Sequence, residues 1–125
     1  MPLIFLIADD NADAAESLGL LLKMEGHCVH LAHQGEQALE LANQVRPDVA
    51  VLDIGMPLMD GFEVARQLRS QPWSQSMFIV ALTGWGHQED RRRSKEAGFD
   101  EHFTKPLDPM VLVRRVNEIR LARSR

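Results

Sequence analysis

Short apolar runs alternate along this chain with longer stretches in which apolar residues recur every three or four positions. Leu3 to Ala8 is an unbroken apolar run that stops at Asp9, Asp10 and Asn11. A run that does not alternate reads as a strand buried on both faces. Ala12 to Glu25 follows with Ala14, Leu18, Leu21 and Leu22 on one helical stripe, and Gly26 ends it. His27 to Ala32 predicts a short second strand. Gly35 opens a helix carrying Ala38, Leu41, Ala42 and Val45, which Pro47 closes. Asp48 to Leu52 is the third strand. A third helix starts at Met59 or Asp60, carries Phe62, Val64, Ala65 and Leu68, and breaks at Gln71 and Pro72. Met77 to Leu82 is a fourth apolar strand, ending in Thr83-Gly84-Trp85-Gly86. Gln88 to Ala97 reads as a poorly apolar helix, ended by Gly98. Glu101 to Thr104 is a short strand running into Lys105-Pro106, and Asp108-Pro109 starts a last helix with Leu112, Val116 and Ile119 on one side.

Five strands thus alternate with five helices through short loops, and the internal strands are apolar throughout. The expectation is an α/β sandwich, a parallel sheet with helices on both faces and right-handed crossovers. In such a sheet all carboxyl ends share one edge, where ligands and chemistry collect. At that edge the first strand ends in Asp9 and Asp10, the third in Asp53, the fourth in Thr83 and the fifth in Lys105. The second ends in nothing ionic, only His33 and Gln34.

Three carboxylates at one spot repel unless a cation joins them. Carboxylate oxygens are the preferred ligands of Mg²⁺, and the absence of soft ligands there makes zinc a poor fit. Lys105 would be a point charge for an anion and Thr83 a hydroxyl donor to it. A divalent ion with a lysine and a hydroxyl is how a phosphoryl group is held in transfer, and Asp53 can be the nucleophile that accepts it. Each residue alone has a plainer reading: Asp9 and Asp10 as helix caps, Asp53 and Thr83 as turn residues, Lys105 as surface.

Composition narrows the classes. At 125 residues the whole chain, 1–125, is expected to be a single domain, and a net charge of −4 does not imply a polyanionic partner. The Arg91-Arg92-Arg93 run is too short for a nucleic-acid surface, so no direct nucleic-acid binding is expected. Cys28 is the one cysteine and has apolar neighbours, which suits a reducing compartment. The apolar start has no basic leader and no run approaches a membrane span, so a cytoplasmic protein with no membrane insertion is expected. Both a complete small protein and one module of a longer polypeptide remain open.

With its acidic pair after the first strand, LD-x-x-MP-x-MDG around Asp53, ALTG at Ala81 to Gly84 and KP at Lys105-Pro106, the chain resembles the receiver domains of two-component response regulators over essentially its full length. The resemblance implies a (βα)5 flavodoxin-like sandwich with strand order 2-1-3-4-5. It implies that Asp53 is the phospho-acceptor and that Asp9, Asp10, Asp53 and the backbone carbonyl of Gly55 hold Mg²⁺, for which Mn²⁺ could substitute. Thr83 would be the switch hydroxyl, Lys105 would contact the phosphate, and the Lys105–Pro106 bond would be cis. The aromatic switch position of the family falls at His102, with Phe103 turned to the opposite face. Gly55 and Trp85 fall at positions that border the phosphate, and Trp85 would shield the site or form part of the partner surface.

The glycine content of LDIGMPLMDG and the stretch from ALTGWG to TKPLDP look most like receivers of hybrid sensor kinases or stand-alone regulators. The implied phosphoryl donor is a sensor histidine kinase or a histidine phosphotransfer protein. The implied output face comprises the fourth helix, fifth strand and fifth helix, with Arg91, Arg92, Arg93, Lys95, His102, Arg114 and Arg115, and it would dock a partner or a second copy. Such a module phosphorylates itself and slowly dephosphorylates, and is not a turnover enzyme. The alternatives are a receiver-fold interaction module that is never phosphorylated and a small phosphatase working through an aspartyl phosphate.

Overall fold

The computed structural model describes residues 2–84 and 88–123. Among these, five strands alternate with five α-helices: β1 (Ile4–Ala8), α1 (Ala12–Met24), β2 (Cys28–Ala32), α2 (Gly35–Val45), β3 (Val49–Asp53), α3 (Gly61–Arg69), β4 (Phe78–Thr83), α4 (Gln88–Ala97), β5 (Glu101–Thr104) and α5 (Pro109–Arg123). The strands form one parallel sheet in the order β2-β1-β3-β4-β5.

Successive strand residues point to opposite faces, and this alternation divides the core in two. Leu6, Ala8, Ala50, Leu52, Ile79 and Ala81 face α2, α3 and the end of α4, where they meet Ala38, Ala42, Phe62 and Leu68. Phe5, Ile7, Val49, Val51, Val80 and Leu82 face α1 and α5, where they meet Leu18, Leu22, Leu112 and Val116. Because β1, β3 and β4 are covered on both sides, β1 is apolar throughout and β3 and β4 are apolar up to their last residues, Asp53 and Thr83, with no period of two.

The elements follow the sequence reading, and β3 and β4 end on Asp53 and Thr83 as expected. The differences are local: β2, β3 and β4 each start one residue later than expected, at Cys28, Val49 and Phe78. Asp48 stands just before β3 and accepts the Ile4 N–H at 2.8 Å, which ties the start of β3 to the start of β1. The segment after α3 is not plain loop but a short 3-10 helix, Pro72–Ser76, started by a proline whose missing N–H is not needed there. Cys28, despite apolar neighbours in sequence, is exposed, because β2 is an edge strand paired only with β1. On α1 the buried stripe keeps Leu18 and Leu22 but has Ala15 and Gly19 where Ala14 and Leu21 were expected. Leu21 is left 44% exposed.

Below the sheet, Arg69 at the end of α3 joins several segments. Its guanidinium donates to the carbonyls of Gly98 (2.9 Å), Ser74 (2.8 Å) and Met77 (2.9 Å), and pairs with Asp100. Asp100 also accepts the Ile79 N–H at 2.8 Å and pairs with Arg123 of α5 at 2.7 Å. None of the described helices is long and apolar enough to cross a membrane.

Candidate functional site

The site is built from strand ends, so the sheet itself fixes its geometry. β1 delivers Asp9 one residue past its end, β3 ends on Asp53, and β4 ends on Thr83. All three are buried, with Asp9 at 1%, Asp53 at 6% and Thr83 at 4% exposure. The loop after β5 supplies Lys105, whose N–H donates to the Thr83 carbonyl at 2.7 Å and extends the β4–β5 pairing into the loop. The Lys105–Pro106 peptide is cis. The Lys105 ammonium then lies 3.1 Å from Asp9 Oδ2 and 3.2 Å from Asp53 Oδ2.

Neither aspartate of the first loop is a helix cap. Asn11 caps α1, its Oδ1 accepting the Ala14 N–H at 3.1 Å. Asp9 Oδ1 accepts the Asn11 N–H at 3.0 Å, and Asp10 is exposed at the mouth. Carboxylate oxygens of Asp9, Asp10 and Asp53 lie within 4.8 Å of one another, a cluster that could hold a metal ion.

The Gly/Pro-rich loop after β3 is explained by close approach. Gly55 N–H donates to Asp53 Oδ1 at 2.9 Å, which orients the carboxylate. Asp60 caps α3 by accepting the Glu63 N–H at 3.0 Å. A Cβ on Gly61 would sit 2.7 Å from the Asp53 carbonyl oxygen and 2.9 Å from Ile54 Cα, so only glycine lets α3 start this close beneath the acceptor strand. Met59 packs against Gly35 at the start of α2, where any side chain would collide with it.

Burial pushes the Asp9 carboxyl above its ordinary range, and the neighbouring Asp53 adds to this. Burial acts the same way on Asp53. There the Gly55 N–H, a hydrogen bond shared with Asp9 and the Lys105 charge outweigh it, and the group is held below the usual carboxylate range. Lys105 loses hydration on burial, but its two carboxylate partners more than offset this and raise it. Where two carboxylates share one space the proton goes to the more desolvated one. Asp53 is therefore the more readily ionised carboxylate of the pair, which suits a nucleophile, and Asp9 the less readily ionised.

The remaining sequence-predicted residues divide clearly. His102, half-buried on β5, lies opposite Ala81, while Phe103 turns to the other face and packs with the α1/α5 core. By strand alternation, His102 and Thr83 face the same side of the sheet. Arg92, Lys95 and Arg114 are exposed. Arg115 is bound to its own chain, at 2.5 Å from Glu101 and 3.2 Å from Glu118. Trp85 and the side chain of Arg91 lie outside the described residues. Arg93 does not join the outer surface alone: it stacks on Phe62 of α3 and lines the cavity that contains Asp53.

Two features of the site were missed from sequence. His33 Nδ1 lies 3.2 Å from the Asp9 carbonyl, bringing the β2 end to the site. On the other flank, a cavity of about 510 Å³ opens beside Asp9 and Lys105 between α1 and the loop after β5, lined by Leu18, Leu21, Leu82, Pro106 and Leu107. Its apolar rim was legible only in part, as the Leu21 of a stripe expected to be buried.

A doubly wound sheet of this order with an acidic pocket, threonine and lysine at its carboxyl edge defines a receiver-type signalling domain. The chain belongs to the response regulator receiver domain family, whose profile matches residues 5–117. It is 38% identical over 119 residues to the response regulator MprA of Mycolicibacterium vanbaalenii, covering 95% of this chain and 51% of that protein. It is 37% identical over 117 residues to a 14.6 kDa protein of Leptolyngbya boryana, covering 94% of this chain and 89% of that one. The chain thus spans about half the length of the MprA regulators and most of the smaller protein.

Among solved structures, chemotaxis protein CheY4 of Vibrio cholerae superposes with a TM-score of 0.88 at 28% identity, covering 94% and 98% of the two chains. The signal receiver domain of a signal transduction histidine kinase from Syntrophus aciditrophicus gives 0.81 at 32% identity, covering 92% and 87%. The protein is therefore a receiver domain of the two-component type, a signalling module of a family that works with histidine kinases rather than a turnover enzyme.

Proposed function

We propose that this domain, residues 1–125, accepts a phosphoryl group on Asp53 from a phosphohistidine of a cytoplasmic sensor histidine kinase or phosphotransfer protein, and signals through α4, β5 and α5. The observation that carries the reading is the Asp9–Lys105–Asp53 contact at a strand edge: an anionic, oriented carboxylate next to an ammonium and two further carboxylates.

The donor set fits Mg²⁺: three hard carboxylate oxygen donors gathered in one place, with no thiolate or imidazole among them; the Gly55 carbonyl would be a fourth. Bound there, the ion would neutralise charge on the transferring phosphoryl group. The chain's own residues supply the rest. The Gly55 N–H fixes the Asp53 carboxylate, and one of its oxygens forms the new O–P bond as the donor's P–N bond breaks. The leaving imidazole keeps the bonding pair and departs neutral, its other nitrogen protonated. Lys105 stabilises the equatorial oxygens during transfer, and Thr83, fixed at the end of β4, supplies a hydroxyl to the product. His102 on the same face then couples Thr83 to β5, and Arg92, Lys95, Arg114 and Arg115 form the charged surface offered to a partner or a second copy.

Intact-mass measurement after incubation with acetyl phosphate and Mg²⁺ tests this. Wild type should gain about one phosphoryl mass, and Asp53→Ala and metal-free samples should gain none. An adduct that persists in Asp53→Ala, or none in wild type at any reaction time, refutes the assignment.

A further inference from the structure

The flank of the site away from Lys105 holds a second cation. A cavity of about 280 Å³ is walled by Asp53, Gly55, Asp60, Phe62, Thr83 and Arg93. Arg93 comes from α4, and its guanidinium carbon lies 4.1 Å from the centroid of the Phe62 ring. Phe62, 2% exposed, is itself held edge-on against Phe99 with centroids 6.1 Å apart. A cation held over a ring face keeps its charge, and a guanidinium so placed still has N–H donors to offer an anion. Among the described residues, no carboxylate pairs with Arg93, although Asp53 and Asp60 line the same cavity. Lys105 already lies between Asp9 and Asp53, so charge added to Asp53 on the Thr83 side faces a cavity shared with Arg93, a cation without a carboxylate partner among the described residues.

We infer that Arg93 is a phosphoryl-binding residue: held over the Phe62 ring, it donates hydrogen bonds to the anion on Asp53 from the α4 side, away from Lys105. This rests on Asp53 being the acceptor. A phosphoryl group brings about −1.5 to −2 charge and three acceptor oxygens, a shape that a guanidinium fork matches better than an ammonium. Because Arg93 belongs to α4, the same bond reports occupancy of the site to the output face.

Fluoroberyllate with Mg²⁺, titrated calorimetrically, is the test, using wild type, Arg93→Met and Arg93→Lys. Methionine keeps an apolar stem over Phe62 and removes the charge. Arg93→Met should bind fluoroberyllate about tenfold more weakly, with lysine in between. Its affinity for Mg²⁺ alone should stay the same or rise, because a positive charge has left the neighbourhood. Equal fluoroberyllate affinity in wild type and Arg93→Met overturns the inference, as does an equal loss of Mg²⁺ and fluoroberyllate binding, the mark of a purely structural effect. Wild type that binds Mg²⁺ but no fluoroberyllate overturns the acceptor reading and this inference with it, and the silence is then in wild type rather than in the variant.

Discussion

Lys105→Met in chelated buffer is the perturbation whose size follows most directly from the geometry. The ammonium lies 3.1 Å from Asp9 and 3.2 Å from Asp53. At an effective dielectric of about 20 each contact is worth about 5 kcal/mol of Coulomb attraction. That sum is not what is lost. Removing the ammonium also removes its own desolvation penalty of several kcal/mol, and its 32% exposure screens the pair further. The loss has a ceiling as well, because one carboxylate can take up a proton instead. Near pH 7 that costs about 4 kcal/mol, from 1.36 kcal/mol for each unit above an ordinary aspartate value near 3.9. The expected destabilisation is therefore about 3 kcal/mol near pH 7. Near pH 5 the proton costs only about 1.5 kcal/mol, and the difference between variant and wild type should shrink below that.

The signs agree with the directions of the shifts. The raised Lys105 contributes stability that is complete below the unfolded lysine pKa and is lost as pH rises through the higher folded value. The depressed Asp53 contributes stability present above the unfolded aspartate pKa and lost as pH falls through the lower folded value. Asp9, raised, opposes folding at neutral pH, and that penalty is relieved as pH falls. Urea denaturation followed by far-ultraviolet circular dichroism at both pH values reads all of this. A Lys105→Met protein as stable as wild type near pH 7, or one whose deficit grows on acidification, would refute the electrostatic account.

Asp9→Asn should act with the opposite sign, stabilising the metal-free protein by about 1 kcal/mol while abolishing the gain that wild type shows on adding Mg²⁺; melting with and without the ion reports both. Gly61→Ala places a methyl 2.7 Å from the Asp53 carbonyl oxygen, so it should cost about 2–3 kcal/mol in urea unfolding and slow adduct formation on Asp53. Arg69→Met strips the donor from three carbonyls and leaves Asp100 with the Ile79 N–H and Arg123, and should cost about 3 kcal/mol by the same assay; a loss under about 1 kcal/mol would mean water replaces those bonds.

The strand order and the membership of the site were legible because both depend on where apolar runs stop. Each covered strand is apolar until its last residue, and that residue is then forced onto the common edge. What could not be read was which side chains reach sideways from a neighbouring element. Arg93 sits in a charged run that looks uniformly solvated, and the position of Phe62 one helix away draws this exposed side chain over the site. Asn11 rather than Asp9 or Asp10 caps α1, a distinction among three residues that all cap well. Leu21 fits a helical stripe as well as Gly19 does; α1 packs on Val29 and Leu31 through the glycine, and this rotates the leucine out. Cys28 could not be placed without knowing that β2 is an edge.

Gly98, just beyond α4, is held by Arg69, which donates to its carbonyl and leaves no room for a side chain on it. The carboxyl end of the helix is thereby clamped to the floor of the molecule, while Arg93 touches the catalytic rim partway along. A rod fastened at one end can only swing. With a rise of about 1.5 Å per residue, the ten residues of α4 span about 15 Å, and a tilt of about 10° moves the first turn by about 2.5 Å while the clamp stays still. A small pull near the middle of such a lever is therefore largest in displacement at the far tip, and least felt in the sheet that carries the chemistry.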